Sequence, residues 1–378
     1  MTVILKSDQV ANKSIGNIYG INGELDFQVM LDFNRGLYRY KDAGVLKETT
    51  LSGAISLTRA SKAEYKDRSG VAKTAQANEP RIHYMSDLGI SGLLIEDVRT
   101  NLFVNPNTPV TQTISIPNSG AAQALALRVE GTGSATMSGD VTNLSRASAT
   151  EGKPQGALPI SGPSTINVTV TITGNVTRCQ LERTPSSTGG NYASSFIPSD
   201  IASRAADRVV LSDLLAAKLA TAKTIVCQFV YYERLVKGFS ESVGVLSLED
   251  KINAKGGVFV TRALAATTGD ATQKTVVVNP GSTAIAKQNA MPSVDARKVT
   301  SVVAFSQGGL NTIQAVNGSA KEVPGESLSI DFNKMTIGGG DGFSSATGAA
   351  GGILTRLAIY DRKLTAEEIS KISTSWLQ

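Results

Sequence analysis

The clearest periodicity in the chain is at Ile166-Asn167-Val168-Thr169-Val170-Thr171-Ile172. Apolar and polar residues alternate there without a break, which predicts a strand with one face in a core and one in solvent. Residues 111–116 and 124–129 alternate in the same way, grouping Ile114 with Ile116 and Leu125 with Leu127 and Val129. Leu93-Leu94-Ile95 is an apolar run with the length of a buried strand. It ends in charge at Glu96, Asp97 and Arg99, and Asn105-Pro106-Asn107-Thr108-Pro109 then forces a turn. Residues 224–231 read as a strand with mixed faces and 299–305 as another, while Ala315-Val316-Asn317-Gly318 is a hairpin signal. Short runs between repeated turn signals predict an all-β protein. Helix is expected mainly at the C-terminus, with 212–220 as the other stretch of helical character. Thr365 is placed as an N-cap with Glu368 at N3, and Leu364 can staple onto Ile369. Ile369, Ile372 and Trp376 then recur at helical spacing.

The pattern divides the chain into an N-terminal arm (1–44), an extended connector (45–105) and two tandem β-sandwiches (106–199 and 205–378). The arm has three apolar pieces: Val3-Ile4-Leu5, Val29-Met30-Leu31-Asp32-Phe33 and Leu37-Tyr38-Arg39-Tyr40. Chains below about 40 residues seldom fold alone, so the arm must pack either on the rest of the chain or on another protein. The second alternative makes Ile4, Leu5, Met30, Phe33, Tyr38 and Tyr40 its docking residues, with sandwiches that fold without it.

Composition narrows the function classes. Hydrophobic residues make up 41% and charged residues 18% of 378, which is globular rather than disordered. The formal net charge of +5 is scattered, and aromatics are only 5%; a nucleic-acid groove would need clustered cations and stacking rings. No apolar run reaches membrane-spanning length. Lys6 and Asp8 interrupt the N-terminus too early for a signal peptide, so synthesis in a cytoplasm is expected. Cys179 and Cys227 each sit in an apolar strand-like run and are expected as buried free thiols.

Candidate chemistry is sparse. His83 is the sole histidine, flanked by Ile82 and Tyr84 and without a nucleophile-elbow serine motif, so no catalytic triad is expected. No Cys/His set has zinc spacing. Gly338-Gly339-Gly340-Asp341-Gly342 lacks the Lys-Ser/Thr of a phosphate loop and reads as an inter-strand loop. Asp341 could contribute to a Ca²⁺ site at a sandwich rim, but Ca²⁺ takes about six to eight oxygens. No cofactor is expected.

Several strings carry a resemblance. Gly92-Leu93-Leu94-Ile95-Glu96-Asp97-Val98-Arg99-Thr100-Asn101-Leu102 resembles the connector of a family of bacteriophage virion proteins. Before it, Arg59-Ala60-Ser61, Tyr65, Asp67, Gly70 and Pro80-Arg81 follow that family's order, with a shorter loop ahead of Gly92. Cys179-Gln180-Leu181-Glu182, then Tyr192-Ala193-Ser194-Ser195-Phe196-Ile197-Pro198 after a Gly/Ser loop, resembles the ending of carbohydrate-binding-like jelly rolls of phage fibres. Ser203-Arg204-Ala205-Ala206-Asp207 leads into the next domain. The end, from Gly352 through Tyr360-Asp361-Arg362 to Ile369, resembles that of laminin-G/concanavalin A-like domains. The resemblance covers roughly 50–378.

It implies a fibre, spike or decoration subunit of a tailed phage. Such a subunit would reside in the virion, dock on capsid, neck or tail proteins through its arm, associate with copies of itself (a trimer is favoured) and adhere to host-surface glycan. Sugar sites need aromatic platforms, and Tyr192, Phe196, Tyr231 and Phe343 are the candidates. The alternative is a glycan depolymerase or glycosidase on the same scaffold. The strand motif of alternating carboxylates found in concanavalin-like glycosidases does not occur here, so no enzyme is expected. A secreted bacterial adhesin would require a signal peptide.

Overall fold

The computed structural model describes residues 26–118, 124–141, 163–183, 193–199, 202–231, 311–324, 332–338 and 351–376. It also describes the strands Arg146–Ser148, Gln155–Ala157, Glu241–Asp250, Gly257–Leu264, Ala271–Val278, Ala284–Ala290 and Lys298–Ala304. Among the described residues all strand pairs are antiparallel, and the sheets build two β-sandwiches.

The larger sandwich has one sheet in the order Ser319–Pro324, Asn311–Val316, Lys298–Ala304, Thr224–Tyr231, Gly352–Tyr360, Val29–Asp32, Leu37–Asp42, Val45–Glu48. Ile82–Met85 and Ile90–Ile95 attach to it at Gly352–Tyr360. The facing sheet runs Ala284–Ala290, Ala271–Val278, Gly257–Leu264, Glu241–Asp250, Phe332–Ile337, Arg208–Leu211, Ile55–Thr58. Val29, Leu31, Ile225, Phe229, Leu357 and Ile359 from the first sheet meet Ile55, Leu57, Val209, Leu246, Met335 and Ile337 from the second.

The outer face of the first sheet is covered by the helix Ala366–Ser375, whose Ile369 and Ile372, with Leu364 and Trp376, pack on Phe27, Met30, Val226 and Tyr360. Thr224–Tyr231 is therefore buried on both faces along its whole length. That is the reason its apolar residues do not alternate. The helix starts as its sequence predicts: the Thr365 side chain accepts from the Glu368 N–H, and the Glu368 carboxylate accepts from the Thr365 N–H. Asn317 and Gly318 form the expected hairpin turn, both with positive φ, at 49° and 87°. Residues 212–220 contain the short helix Asp213–Ala216.

The smaller sandwich packs Gln112–Pro117, Thr165–Thr173, Ser134–Gly139 and Arg146–Ser148 against Gln155–Ala157, Ala124–Gly131, Val176–Arg183, Arg99–Asn101 and Ser203–Arg204. The predicted alternation holds: Ile166, Val168, Val170, Leu125 and Leu127 are fully buried, and Ile172 packs partly buried against them. Cys179 lies in this core and Cys227 in the other, too far apart in the fold to be bridged, and neither is in a disulfide. Burial pushes the Cys179 thiol up to about 12.

The all-β reading with two sandwiches and a C-terminal helix holds, but the expected domain boundaries do not. The strands entering and leaving the smaller sandwich pair with each other, Arg99 with Arg204 and Thr100 with Ser203. The smaller sandwich is thus an insertion into the larger one, which is assembled from 26–98 and from residues after 204. The connector is not an extended spacer, because it supplies Ile55–Thr58, Ile82–Met85 and Ile90–Ile95 to the larger sandwich. The arm is corrected too. Val29–Asp32 pairs with Gly352–Tyr360 on one side and with Leu37–Asp42 on the other. Met30, Phe33, Tyr38 and Tyr40 are buried in the sandwich and are not docking residues. Ile4 and Leu5 lie outside the described residues.

Gly92 shows why the connector string opens on glycine. A Cβ there would sit 2.7 Å from the Leu354 carbonyl oxygen and 2.9 Å from the Ile353 Cβ, across the pairing of Ile90–Ile95 with Gly352–Tyr360. Gly92→Ala is expected to destabilise the fold by about 1–3 kcal/mol, read as a lower denaturation midpoint with an unchanged slope.

Candidate functional site

Arg59, Arg81, Glu96 and Arg99, at strand ends in the connector, turn inward. Arg59, one residue beyond Ile55–Thr58, donates from Nη1 to Asp207 at 2.9 Å. It also donates from Nε to the Ser61 carbonyl and from Nη2 to those of Gln76 and Glu79. Arg81 reaches Asp207 at 2.5 Å, Glu96 at 2.8 Å and the Ser195 hydroxyl at 2.9 Å. Glu96 follows Ile90–Ile95 directly and accepts from the Ser195 N–H and hydroxyl, both at 2.6 Å, with Arg204 at 2.9 Å. Glu182 accepts from Gln180 at 2.6 Å and from the Ser194 N–H at 2.9 Å, with the Arg99 Nε 3.7 Å away. Arg204 adds the Asp97 carbonyl at 2.5 Å.

The side chains of Arg59, Arg81, Arg99, Arg204, Glu96, Glu182 and Asp207 have no exposed surface. With Asp97, four arginines meet four carboxylates, so the cluster is electrically balanced. Taking such ions out of water costs several kcal/mol each, which only dense pairing and hydrogen bonding can offset. Burial pushes the Glu96 carboxyl up, but Arg204, Arg81 and the Ser195 bonds outweigh it and hold Glu96 well below its ordinary range. For Glu182 burial dominates over Arg99, Arg204 and Ser194, and its carboxyl is raised.

This cluster lies where the two sandwiches meet. Arg59, Arg81, Glu96 and Asp207 come from the larger sandwich, and Glu182, Ser194 and Ser195 from the smaller. Chemically it is closed: Glu96, Glu182 and Asp207 present no surface to a substrate, and their oxygens are engaged by protein donors. Among the described residues no group of three or more His, Cys, Asp or Glu could hold a metal ion. Within the described residues, too, no helix is long and apolar enough to cross a membrane.

An open site adjoins the cluster. The hairpin of Ala63–Lys66 and Ala72–Ala75 leans over the smaller sandwich and leaves a shallow cleft of about 10 Å³, room for about one water, lined by Tyr65, Lys66, His83, Arg128, Glu130 and Arg178. Its floor is Phe196, with the Arg178 guanidinium 4.0 Å and that of Arg128 5.0 Å from the ring centroid. Glu130 and Arg178 are cross-strand partners, each on a polar position of an alternating strand.

His83 is buried beside the cleft, and its Nδ1 accepts from the Lys66 N–H at 3.0 Å. Burial, with the charge of Arg128, lowers its pKa to about 3. The unfolded chain, with an ordinary value of 6.5, therefore binds this proton first. Stability from His83 is complete above that value and is lost as pH falls from 6.5 toward 3. Glu96, with its depressed folded value, adds to the loss below its ordinary 4.5. The expected result is an unfolding midpoint that declines below pH 6.5, while the single histidine resonance stays neutral in the folded protein down to about pH 4, within one unit above its folded value.

Of the aromatic candidates, Phe196 and Tyr231 are 3% and 1% exposed and cannot serve as sugar platforms. Phe196 is capped by the two arginines, and Tyr231 packs on Phe229 inside the larger core. Tyr192, Phe343 and the weak Ca²⁺ candidate Asp341 lie outside the described residues. Tyr65, Arg128 and Arg178 escaped the sequence reading, although the alternation of Arg128 and Glu130 with the core residues Leu127 and Val129 marks them as one outward face.

Comparison with protein-family descriptions and with curated proteins gives no match. Among solved structures, the chain is similar to the CBM40 of the Ruminococcus gnavus IT-sialidase, at a TM-score of 0.31 and 15% identity over 42% of this chain and 86% of that one. The same domain bound to α2,3 sialyllactose gives 0.32 and 16%, over 42% and 85%. The botulinum neurotoxin type G receptor binding domain gives 0.28 and 11%, over 44% and 39%. Overlaps this weak carry no argument about function, and the β-sandwich assignment rests on the strands and cores described above.

Proposed function

We propose that the chain is a structural subunit of a tailed-phage virion, a fibre, spike or decoration protein that presents its two sandwiches for adhesion to host-surface glycan. One observation supports this above others. The strings that resemble the phage family supply Arg59, Arg81, Glu96, Asp97, Arg99, Gln180, Glu182, Ser194, Ser195, Arg204 and Asp207, and all of them enter one buried junction. What is shared with that family is then an architecture: a jelly-roll-like module locked at a set angle to the sandwich that carries it. A locked pair of binding modules suits a projecting adhesin, and closed carboxylates suit a protein without hydrolytic work. Docking on the particle is assigned to residues 1–25, which include Ile4 and Leu5, and gathering as a homotrimer would multiply weak glycan contacts.

The test pairs two measurements. Mass spectrometry of purified particles should find the chain in stoichiometric amounts, and the purified chain should compete with the phage for adsorption to host cells. Absence from particles overturns the virion reading. Release of reducing sugar from host surface polysaccharide would instead establish the depolymerase alternative.

A further inference from the structure

The strand Gln112–Pro117 stands at the end of its sheet and, among the described residues, pairs only with Thr165–Thr173. The Asn118 N–H donates to the Ser164 carbonyl at 2.8 Å, which continues the same register by one step. Bonded positions alternate along an antiparallel pair, so Gln112, Ile114 and Ile116 bond inward. Thr113, Ser115 and Pro117 turn their backbone groups to the open edge. The far side of Thr165–Thr173 agrees: the Asp140 N–H donates to the Asn167 carbonyl at 3.0 Å. Asn167 and its alternates thus serve Ser134–Gly139, and Ile166, Val168 and Val170 are left for Gln112–Pro117.

Proteins blunt such edges with charge, brevity or proline. The other end strands do so. Val45–Glu48 carries Lys47 and Glu48, Ser319–Pro324 carries Lys321 and Glu322, and Ala284–Ala290 carries Lys287. Ile55–Thr58, Arg146–Ser148, Gln155–Ala157 and Ser203–Arg204 have four, three, three and two residues. Gln112–Pro117 has six residues and no charge, and its proline comes last. Apolar surface lies beside it. Val104 and Val110, each 62% exposed, are the most exposed large hydrophobic residues among those described. Both are tied to the Gln112 amide, Val104 through its N–H and carbonyl at 3.0 Å and Val110 through its carbonyl at 3.5 Å.

We infer that two copies of this chain pair through this edge, antiparallel, across a two-fold axis at Ile114. In that register Thr113 stands opposite Ser115 of the second copy, and each N–H meets the other's carbonyl. The open groups lie symmetrically about Ile114, so a second copy of the strand supplies what the first lacks. With no charge on the strand, nothing repels the copy. Ile114 meets its counterpart at a non-bonded position, where side chains come closest. Two four-stranded sheets then run on as one. The pairing is independent of the phage reading and joins chains in pairs whatever gathers their N-termini.

Sedimentation equilibrium of the full chain is the test. The mass should rise from 39.5 kDa toward twice that value over concentrations on the order of 1–100 μM, as suits a small interface. Ser115→Pro removes an outward N–H and only one exposed side-chain bond, that of the Ser115 hydroxyl to Asn167. Thr113→Lys puts a charge on an exposed edge position, next to its symmetry mate. Each should weaken association about tenfold or more, with the melting temperature nearly unchanged. Thr113→Lys combined with Ser115→Glu should restore it, because opposite charges then face each other across the two-fold axis. A monomer up to about 100 μM, or association that neither single variant weakens, overturns the inference. A double variant no tighter than Thr113→Lys overturns the register at Ile114. Should Ser115→Pro fail to fold, Thr113→Lys and the double variant still decide it.

Discussion

Asp207→Ala is expected to destabilise the protein by about 3–5 kcal/mol, the range for removing one member of a buried ion cluster. Asp207 accepts from Arg59 at 2.9 Å, from Arg81 at 2.5 Å and from the Glu96 N–H at 3.0 Å. Its loss leaves two arginines without surface exposure and short of a counter-charge, and one backbone donor unpaired. For a protein of this size that corresponds to a fall in melting temperature on the order of 10 °C. Asp207→Asn retains the shape and one acceptor and should lie between the two. Asp42, whose partners Lys47 and Lys218 are at the surface, is the control: Asp42→Ala should be almost silent, because exposed pairs contribute little. Calorimetry on the three variants separates a junction held by buried charge from one held by apolar contact alone.

A chain that starts at Leu51 is expected not to fold. It lacks Phe27, Val29, Met30, Leu31, Phe33, Tyr38 and Tyr40, all buried. It also lacks three strands of the larger sheet, including the one paired with Gly352–Tyr360. At about 1.5–3 kcal/mol per large apolar side chain, those residues together contribute about 10–20 kcal/mol, as much as the roughly 5–15 kcal/mol that a domain has in total. The expected readout is insoluble protein, or a chain without a cooperative transition. A chain starting at Asp26 retains every one of these contacts and is the matched control. A soluble, cooperatively melting product from Leu51 would return residues 26–48 to the role of a detachable arm.

This second expectation reverses what the sequence suggested, and the reason is physical. Val29–Asp32 reads correctly as an apolar segment too small for a core of its own. Nothing local says whether its partner is another protein or Gly352–Tyr360, more than three hundred residues away. Antiparallel pairing at that separation leaves no trace in periodicity. The insertion was hidden for the same reason, because the pairing of Arg99 with Arg204 brings together two strands of three and two residues. By contrast the strand Thr165–Thr173, the Asn317-Gly318 turn and the Thr365 cap are written in residues close along the chain, and each is where the pattern puts it.

The charged strand exits at Glu96, Asp97 and Arg99 read naturally as solvated, since charge is rarely buried unless paired. Their partners Arg81, Glu182, Arg204 and Asp207 are scattered over more than a hundred residues, and only the fold brings them together. Phe196 illustrates the same limit from the other side: a ring in a polar string looks like a sugar platform until Arg128 and Arg178 are placed over it.

The proposal of a virion subunit combines with an observed feature, two sandwiches joined through a buried ionic junction. A reconstruction of the phage particle by electron cryomicroscopy tests it most directly. External density is expected into which both sandwiches fit as one body, with the module of residues 99–204 as sharp as the sandwich that carries it. A particle with no density for the chain, or one in which that module is smeared while the larger sandwich is clear, would contradict it.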